Sequence, residues 1–151
     1  MNIGAGKQNA ATTAKKTTET HGTLVQETLD NLSTAMHGEA FAYVKYLLYG
    51  EHARKSGNKE LADLFEKTAN TERFEHLVEE AQLAGLVGSD ADNLKDAIKG
   101  ESYEVENMYL EFAQKAKVAG DRAAAARFEE IRHDEMGHLD AFKTALAKLE
   151  S

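Results

Sequence analysis

Glutamates interrupt the apolar stripes of four segments with helical spacing. In the last segment, Phe128, Ile131 and Phe142 mark a stripe that advances by threes and fours, and Glu135 and His138 take core-facing positions within it. The stripes of the other segments are broken in the same way. The candidate set is Glu39, Glu72, Glu75, Glu101, Glu104, Glu135 and His138. Because each interruption lies near the middle of its segment, we expect these side chains to meet at one level of a helical bundle.

Six carboxylates gathered in a bundle core require neutralisation. A buried, unpaired carboxylate costs several kcal/mol, and neighbouring like charges add to that cost. Protonation, buried arginines or metal cations could supply the balance, but none of the five arginines falls on a stripe. Taken alone, each of these residues is typical of a solvated helix face, whereas the pattern that they form together predicts a two-metal centre. Oxygen-rich ligation with an imidazole suits iron, with manganese as the alternative, better than zinc.

Four helices must position these residues. A capping box formed by Thr23 and Gln26 is predicted to open the first helix, and glycines mark the helix ends. The predicted spans run from Thr23 to Gly57, from Lys59 to Gly85, from residues 90–92 to Gly120, and from Asp121 to Leu149. Residues 1–22 are predicted to be a disordered tail, and 23–151 the helical domain.

The chain repeats itself after about sixty residues. Upstream the shift is 62, since Gly38-Glu39 matches Gly100-Glu101. Downstream it is 63, and it superposes Tyr46 on Tyr109, Phe65 on Phe128 and Glu72 on Glu135. The extra residue between Glu101 and Tyr109 predicts a π-bulge in the third helix. The predicted fold class is therefore all-α, a four-helix bundle built from two duplicated helical hairpins.

Composition excludes several classes of function. The formal charge of −8 argues against nucleic acid as a partner, because phosphate binding needs a basic face. The absence of cysteine excludes disulfides and thiolate metal sites in these residues. No stretch approaches the ~20 apolar residues of a membrane span, and the first residues lack the apolar run of a secretory signal. A cytoplasmic protein that binds no membrane is the expectation.

The motifs resemble those of the ferritin-like di-iron carboxylate proteins, which take one Glu from each of two helices and Glu-x-x-His from the other two. Within that group the chain most resembles the rubrerythrin family over about residues 24–146. The matching motifs are Gly38-Glu39 with Tyr46, Ala69-Asn70-Thr71-Glu72-Arg73, Gly100-Glu101-x-x-Glu104 with Met108-Tyr109, and Glu135-x-x-His138. The second glutamate of the third helix, Glu104, separates rubrerythrins from ordinary ferritins.

The resemblance implies a non-haem di-iron peroxidase that cycles Fe2+/Fe3+, reduces hydrogen peroxide and draws electrons from an external donor protein. A ferroxidase that consumes dioxygen or peroxide, and a metal-stabilised module without turnover, are the alternatives. Tyr46 and Tyr109 are expected to donate to the metal-binding carboxylates, with core packing as the simpler role. A homodimer is also implied, with exchange of helix pairs through the glycine-containing link 85–89.

The second helix departs from the family pattern. Glu75 stands three residues after Glu72, and the histidine follows at His76. Glu75 and His138 both come ten residues after their phenylalanine, so we predict Glu75 as the ligand, giving six carboxylates and one imidazole, with His76 in reach only if the helix bulges. The resemblance implies peroxide chemistry in which one iron shifts between the helix-three glutamate and the helix-two histidine, and a glutamate at 75 would not support that shift.

Overall fold

The computed structural model describes residues 24–151, and within that range the chain forms helices and no strand. The elements are α1 (Gln26–Lys55), α2 (Lys59–Thr71), a first π segment (Glu72–His76), α3 (Leu77–Ala84), α4 (Asp90–Tyr103), a second π segment (Glu104–Met108), α5 (Tyr109–Ala119) and α6 (Arg122–Leu149). Each π segment continues its neighbours, so the elements make four long helices. The all-α prediction is confirmed, and the predicted tail 1–22 lies outside the described residues.

Glycines end three of the long helices, as predicted. Gly57, Gly85 and Gly120 have φ values of 80°, 63° and 86°, the left-handed conformation that a glycine adopts without steric cost. The start of α1 differs from the prediction. Its N-cap is Val25, which has no side-chain cap, and Thr23 lies outside the described part of the chain.

The helices pair into two hairpins. In the first hairpin α1 packs on α2, the first π segment and α3; in the second, α6 packs on α4, the second π segment and α5. Gly50 permits the close approach of α1 to α2, because a Cβ there would lie 3.3 Å from the Glu66 Cγ and 3.4 Å from the Ala62 carbonyl oxygen. The predicted second π segment is present at Glu104–Met108.

The internal repeat is visible in the packing. Each hairpin holds an aromatic triad, with ring centroids 5.4–6.4 Å apart in the first and 5.6–6.3 Å apart in the second. The triads are Tyr46, Tyr49 and Phe65, and Tyr109, Phe112 and Phe128. Corresponding members are 63 positions apart in the sequence. The two duplicated hairpins are confirmed.

Across residues 24–151, no helix of the first hairpin contacts a helix of the second. The two hairpins are joined only by the link 85–89, and each presents its own face to the surroundings. Over the same range, every helix is too short or too polar to cross a lipid bilayer.

Candidate metal centre

The first hairpin brings two carboxylates and an imidazole together. Glu39 comes from α1, and Glu72 and His76 are the first and last residues of the first π segment. One potential ligand atom from each lies within 4.8 Å of the others. The His76 Nδ1 is 2.8 Å from the Glu72 Oε2 and 3.8 Å from the Glu39 Oε1. We refer to these three residues as the first half-site.

The second hairpin carries a matching group. Glu101 comes from α4, and Glu135 and His138 come from α6; their ligand atoms also lie within 4.8 Å of one another. The His138 Nδ1 is hydrogen-bonded to the Glu135 Oε2 at 2.5 Å and is 3.9 Å from the Glu101 Oε2. These three residues form the second half-site.

The histidines lie on the open side of each half-site. The His76 and His138 side chains are 51% and 58% exposed, whereas the four carboxylates are 14–27% exposed. In each half-site the carboxylates are therefore the more buried groups, and the imidazole is the more exposed one. Together the two provide four carboxylates and two imidazoles, the ligand set of ferritin-like di-iron sites.

The carboxylates in each half-site repel one another. Burial raises the pKa of Glu39, and its hydrogen bond to Glu72 and the charge of that residue raise it further. Burial likewise raises the pKa of Glu101, followed by the hydrogen bond to Glu135. The pKa of His76 is raised, first by its hydrogen bond to Glu72. A cation bound at each half-site would therefore relieve the repulsion between its carboxylates.

Two buried carboxylate oxygens also call for a cation or a hydrogen-bond donor. Within the described residues, the Glu101 Oε2 and the Glu80 Oε2 are buried and have no hydrogen-bond partner. A buried carboxylate oxygen without a donor is costly, and a metal ion is the partner that an oxygen-rich group with imidazole selects. The residues present therefore fit a pair of iron ions.

The structure groups His76, and not Glu75, with the carboxylates of the first half-site. Glu75 is exposed and lies outside the first half-site, and His76 occupies the position that the sequence analysis predicts for Glu75. The physical reason is the first π segment, which holds one more residue per turn than an α-helix and so places residues four apart on one face. In α6, which is α-helical throughout, Glu135 and His138 reach the same arrangement three residues apart.

Glu104 lies beside the second half-site without joining the three-residue cluster. It is the first residue of the second π segment, and its charge contributes to the raised pKa of Glu101. Across the hairpin, the Arg132 Nε of α6 donates a 2.7 Å hydrogen bond to the Val105 carbonyl oxygen in the same π segment. Arg132 therefore ties this segment to the helix that carries Glu135 and His138.

Sequence reasoning missed Glu80. This residue of α3 lies near the first half-site, since its charge helps to raise the pKa of Glu39. The signal was present in the sequence: Glu72, His76 and Glu80 are spaced by four, which a bulged helix would place along one face. Choosing Glu75 as the ligand hid that pattern.

The two predicted tyrosines lie in the aromatic triads next to the half-sites. Burial raises the pKa of Tyr109, followed by the charges of Glu104, Glu135 and Glu101, so its hydroxyl lies near the second half-site. In the part of the chain that the structure describes, neither the Tyr46 nor the Tyr109 hydroxyl donates a hydrogen bond to a carboxylate. Packing against Phe65 and Phe128 is the role visible within one chain.

Comparison with known proteins finds similarity to members of one protein family. The sequence model of the Rubrerythrin family matches residues 30–146. A rubrerythrin of Porphyromonas gingivalis is 32% identical over 149 residues, covering 90% of this chain and 74% of the relative. Nigerythrin of Nitratidesulfovibrio vulgaris is 32% identical over 136 residues, covering 82% and 67%. A structure of nigerythrin described as fully reduced and all ferrous is 27% identical, covers 100% of this chain and 82% of that chain, and has a TM-score of 0.43.

Proposed function

The chain belongs to the rubrerythrin family, and we propose that it reduces hydrogen peroxide to water with electrons from an external donor protein. Membership of this family makes it a non-haem di-iron oxidoreductase. The proposed reaction consumes one peroxide, two electrons and two protons, and breaks the O–O bond to give two waters. We place this activity in the cytoplasm.

The two half-sites would hold the irons. Glu39, Glu72 and His76 would bind from the first hairpin, and Glu101, Glu135 and His138 from the second. The iron pair, when bound, supplies two electrons and Lewis acidity. Mixed carboxylate and imidazole ligation supports both oxidation states, because the carboxylates stabilise iron(III) and the neutral imidazoles favour iron(II).

His76 is the observation that carries the peroxidase proposal. The chemistry implied for this family requires a histidine on the second helix as well as the extra glutamate on the third. The first π segment brings His76 into the first half-site, and Glu104 lies beside the second half-site, close enough for its charge to act on Glu101. Both alternative ligands are thus present. A glutamate in place of His76 would have favoured an iron-oxidising protein.

Protons for the reaction have candidate holders in the chain. The Tyr109 hydroxyl, whose pKa is raised, stays protonated at neutral pH and can donate a hydrogen bond towards the second half-site. We propose the Tyr109 hydroxyl, with the Tyr46 hydroxyl as its counterpart, as the proton donors of the centre.

Electrons must reach the centre from another protein. The 151 residues contain no cysteine, so they hold no iron–cysteine centre that could relay electrons. A small redox protein that docks on the bundle is the class of donor that fits.

The stoichiometry of peroxide consumption tests the proposal. Iron(II)-loaded protein is mixed anaerobically with hydrogen peroxide, with and without excess reduced rubredoxin as donor. Without donor, we expect one peroxide consumed per two irons. With donor, consumption should continue until the donor is exhausted, and the double variant Glu72→Ala/Glu135→Ala should show neither. If consumption stops at one peroxide per two irons in the presence of the reduced donor, the protein is a ferroxidase and the peroxidase proposal fails.

A further inference from the structure

Glu80 of α3 has a buried carboxylate oxygen that nothing in the described part of the chain satisfies. Its Oε2 is buried and has no hydrogen-bond partner. Among residues 24–151, one other side-chain atom is in the same state, the Glu101 Oε2. Glu101 belongs to the second half-site, where a cation would satisfy that oxygen. The same physical argument therefore applies to Glu80 at the first half-site.

The internal repeat shows that the position of Glu80 is apolar in the second hairpin. His76 and His138 are 62 positions apart, and the same shift relates Glu80 to Phe142. Phe142 belongs to the apolar stripe of α6 and lines an open groove of the second hairpin. A glutamate thus occupies a position at which the duplicated hairpin has a large apolar side chain.

The helix that packs against this position is apolar as well. In the second hairpin the phenylalanine shares its groove with Leu94 and Ala97 of α4. The shift of 62 relates these two residues to Leu32 and Ala35 of α1, and α1 packs on α3. Leucine and alanine side chains have no hydrogen-bond donor. Without a cation nearby, the buried oxygen of Glu80 therefore costs stability.

The first half-site lies within reach of the charge of Glu80. Glu72, His76 and Glu80 follow one another at intervals of four. One helical turn, about 6 Å along the axis at ~1.5 Å per residue, separates Glu80 from His76. Across the hairpin, the charge of Glu80 contributes to the raised pKa of Glu39. Glu80 stands outside the three-residue cluster, so it acts on the first half-site from one turn away.

We propose that Glu80 is a positioning residue of the first half-site: acting through Glu39, it raises the affinity for the bound cation, and more so for a trivalent than for a divalent ion. Glu39 and Glu72 supply two negative charges, and Glu80 adds a third beside them. Repulsion among the three carboxylates disfavours the metal-free state, and a cation relieves it. Coulomb attraction grows with the charge of the ion, which gives the preference for a trivalent ion. This inference rests on cation binding at the first half-site and is independent of the peroxidase reaction.

Titration of the metal-free protein with manganese(II) tests the role of Glu80. Glu80→Gln keeps the size of the side chain and removes its charge, and the EPR spectrum of free Mn(II) reports binding. The wild type should bind about two Mn(II) per chain, and Glu80→Gln should weaken one of the two sites about 10–100-fold. Glu79→Gln is the matched control, because it removes the same charge from the exposed neighbouring residue. The control should leave both affinities unchanged.

Histidine variants show which half-site depends on Glu80. His138→Ala removes the imidazole of the second half-site and His76→Ala that of the first, so each should leave one Mn(II) site. Adding Glu80→Gln to His138→Ala should weaken the remaining site, whereas adding it to His76→Ala should have no effect. Unchanged affinity in the His138→Ala background, or equal weakening in both backgrounds, overturns the proposal.

The charge of the ion separates an electrostatic role from a steric one. Gallium(III), supplied as its nitrilotriacetate complex, replaces Mn(II) in the His138→Ala background. Because the attraction is proportional to the charge of the ion, Glu80→Gln should lower the logarithm of the Ga(III) affinity about 1.5 times as much as that of the Mn(II) affinity. An equal or smaller loss for Ga(III) contradicts the electrostatic role.

Substitution by the residue of the second hairpin gives an independent test. Glu80→Phe introduces the side chain found at Phe142 and removes the buried charge, so the urea midpoint of the metal-free protein should rise. Saturating Mn(II) should then stabilise this variant less than it stabilises the wild type. A metal-free variant of lower stability that binds Mn(II) like the wild type shows a purely structural role and overturns the proposal. If peroxide turnover is absent while these Mn(II) results hold, the proposed function fails and this inference stands.

Discussion

Removing His76 should halve iron binding, and removing its neighbour Glu75 should not affect it. His76 is the only imidazole of the first half-site, with its Nδ1 2.8 Å from the Glu72 Oε2 and 3.8 Å from the Glu39 Oε1. His76→Ala leaves two mutually repelling carboxylates there, so iron bound per chain should fall from about two to about one. The second half-site contains its own histidine and should retain its iron.

Glu75→Ala is the matched control. Glu75 belongs to the same π segment but is exposed and outside the half-site, so its removal should leave two irons per chain and change the free energy of unfolding by no more than ~0.5 kcal/mol. The assay is elemental analysis of anaerobically loaded, desalted protein. If Glu75→Ala loses an iron and His76→Ala keeps both, the second helix is α-helical at this point and the assigned register is refuted.

Three further outcomes follow from the packing. Arg132→Met removes the donor to the Val105 carbonyl and should lower the free energy of unfolding, measured in urea, by about 1.5–3 kcal/mol. The control variant Arg127→Met removes only an exposed ion pair and should change the free energy of unfolding by no more than ~0.5 kcal/mol. Equal effects of the two substitutions would contradict the role of Arg132. Tyr109→Phe should keep two irons but reduce peroxide turnover about 10–100-fold, and an unchanged rate would leave only packing as its role. Gly50→Val overfills the contact between α1 and α2 and should cost about 1–3 kcal/mol in the same urea assay; no loss would mean that the helices separate freely.

Helix ends and the repeat could be predicted because they have local causes. Glycines at 57, 85 and 120 take the left-handed conformation that ends a helix. The extra residue between Glu101 and Tyr109 has to be accommodated inside a helix, and the second π segment accommodates it. The glutamates in the middle of the apolar stripes indicated where carboxylates come together, because a position on the stripe faces the core whichever residue occupies it.

The choice between Glu75 and His76 required information that a stripe does not carry. A π turn changes which residue faces inward without changing composition, and both Glu75 and His76 follow Glu72 within one turn. The repeat did hold the signal: Glu72 and Glu135 are 63 positions apart, whereas His76 and His138 are 62 apart. That change of one residue marks the first π segment, as the change from 62 to 63 marks the second.

The sequence could not show which surface covers each hairpin. Apolar stripes identify the faces that must be buried, and the same face is satisfied by its own chain or by another copy.

Anomalous diffraction at the iron absorption edge, from crystals of the iron-loaded protein, tests the central claim most directly. Two iron peaks per chain are predicted, one contacting Glu39, Glu72 and His76, the other contacting Glu101, Glu135 and His138. A single peak, or peaks bound at Glu75 with His76 turned to solvent, would contradict the account.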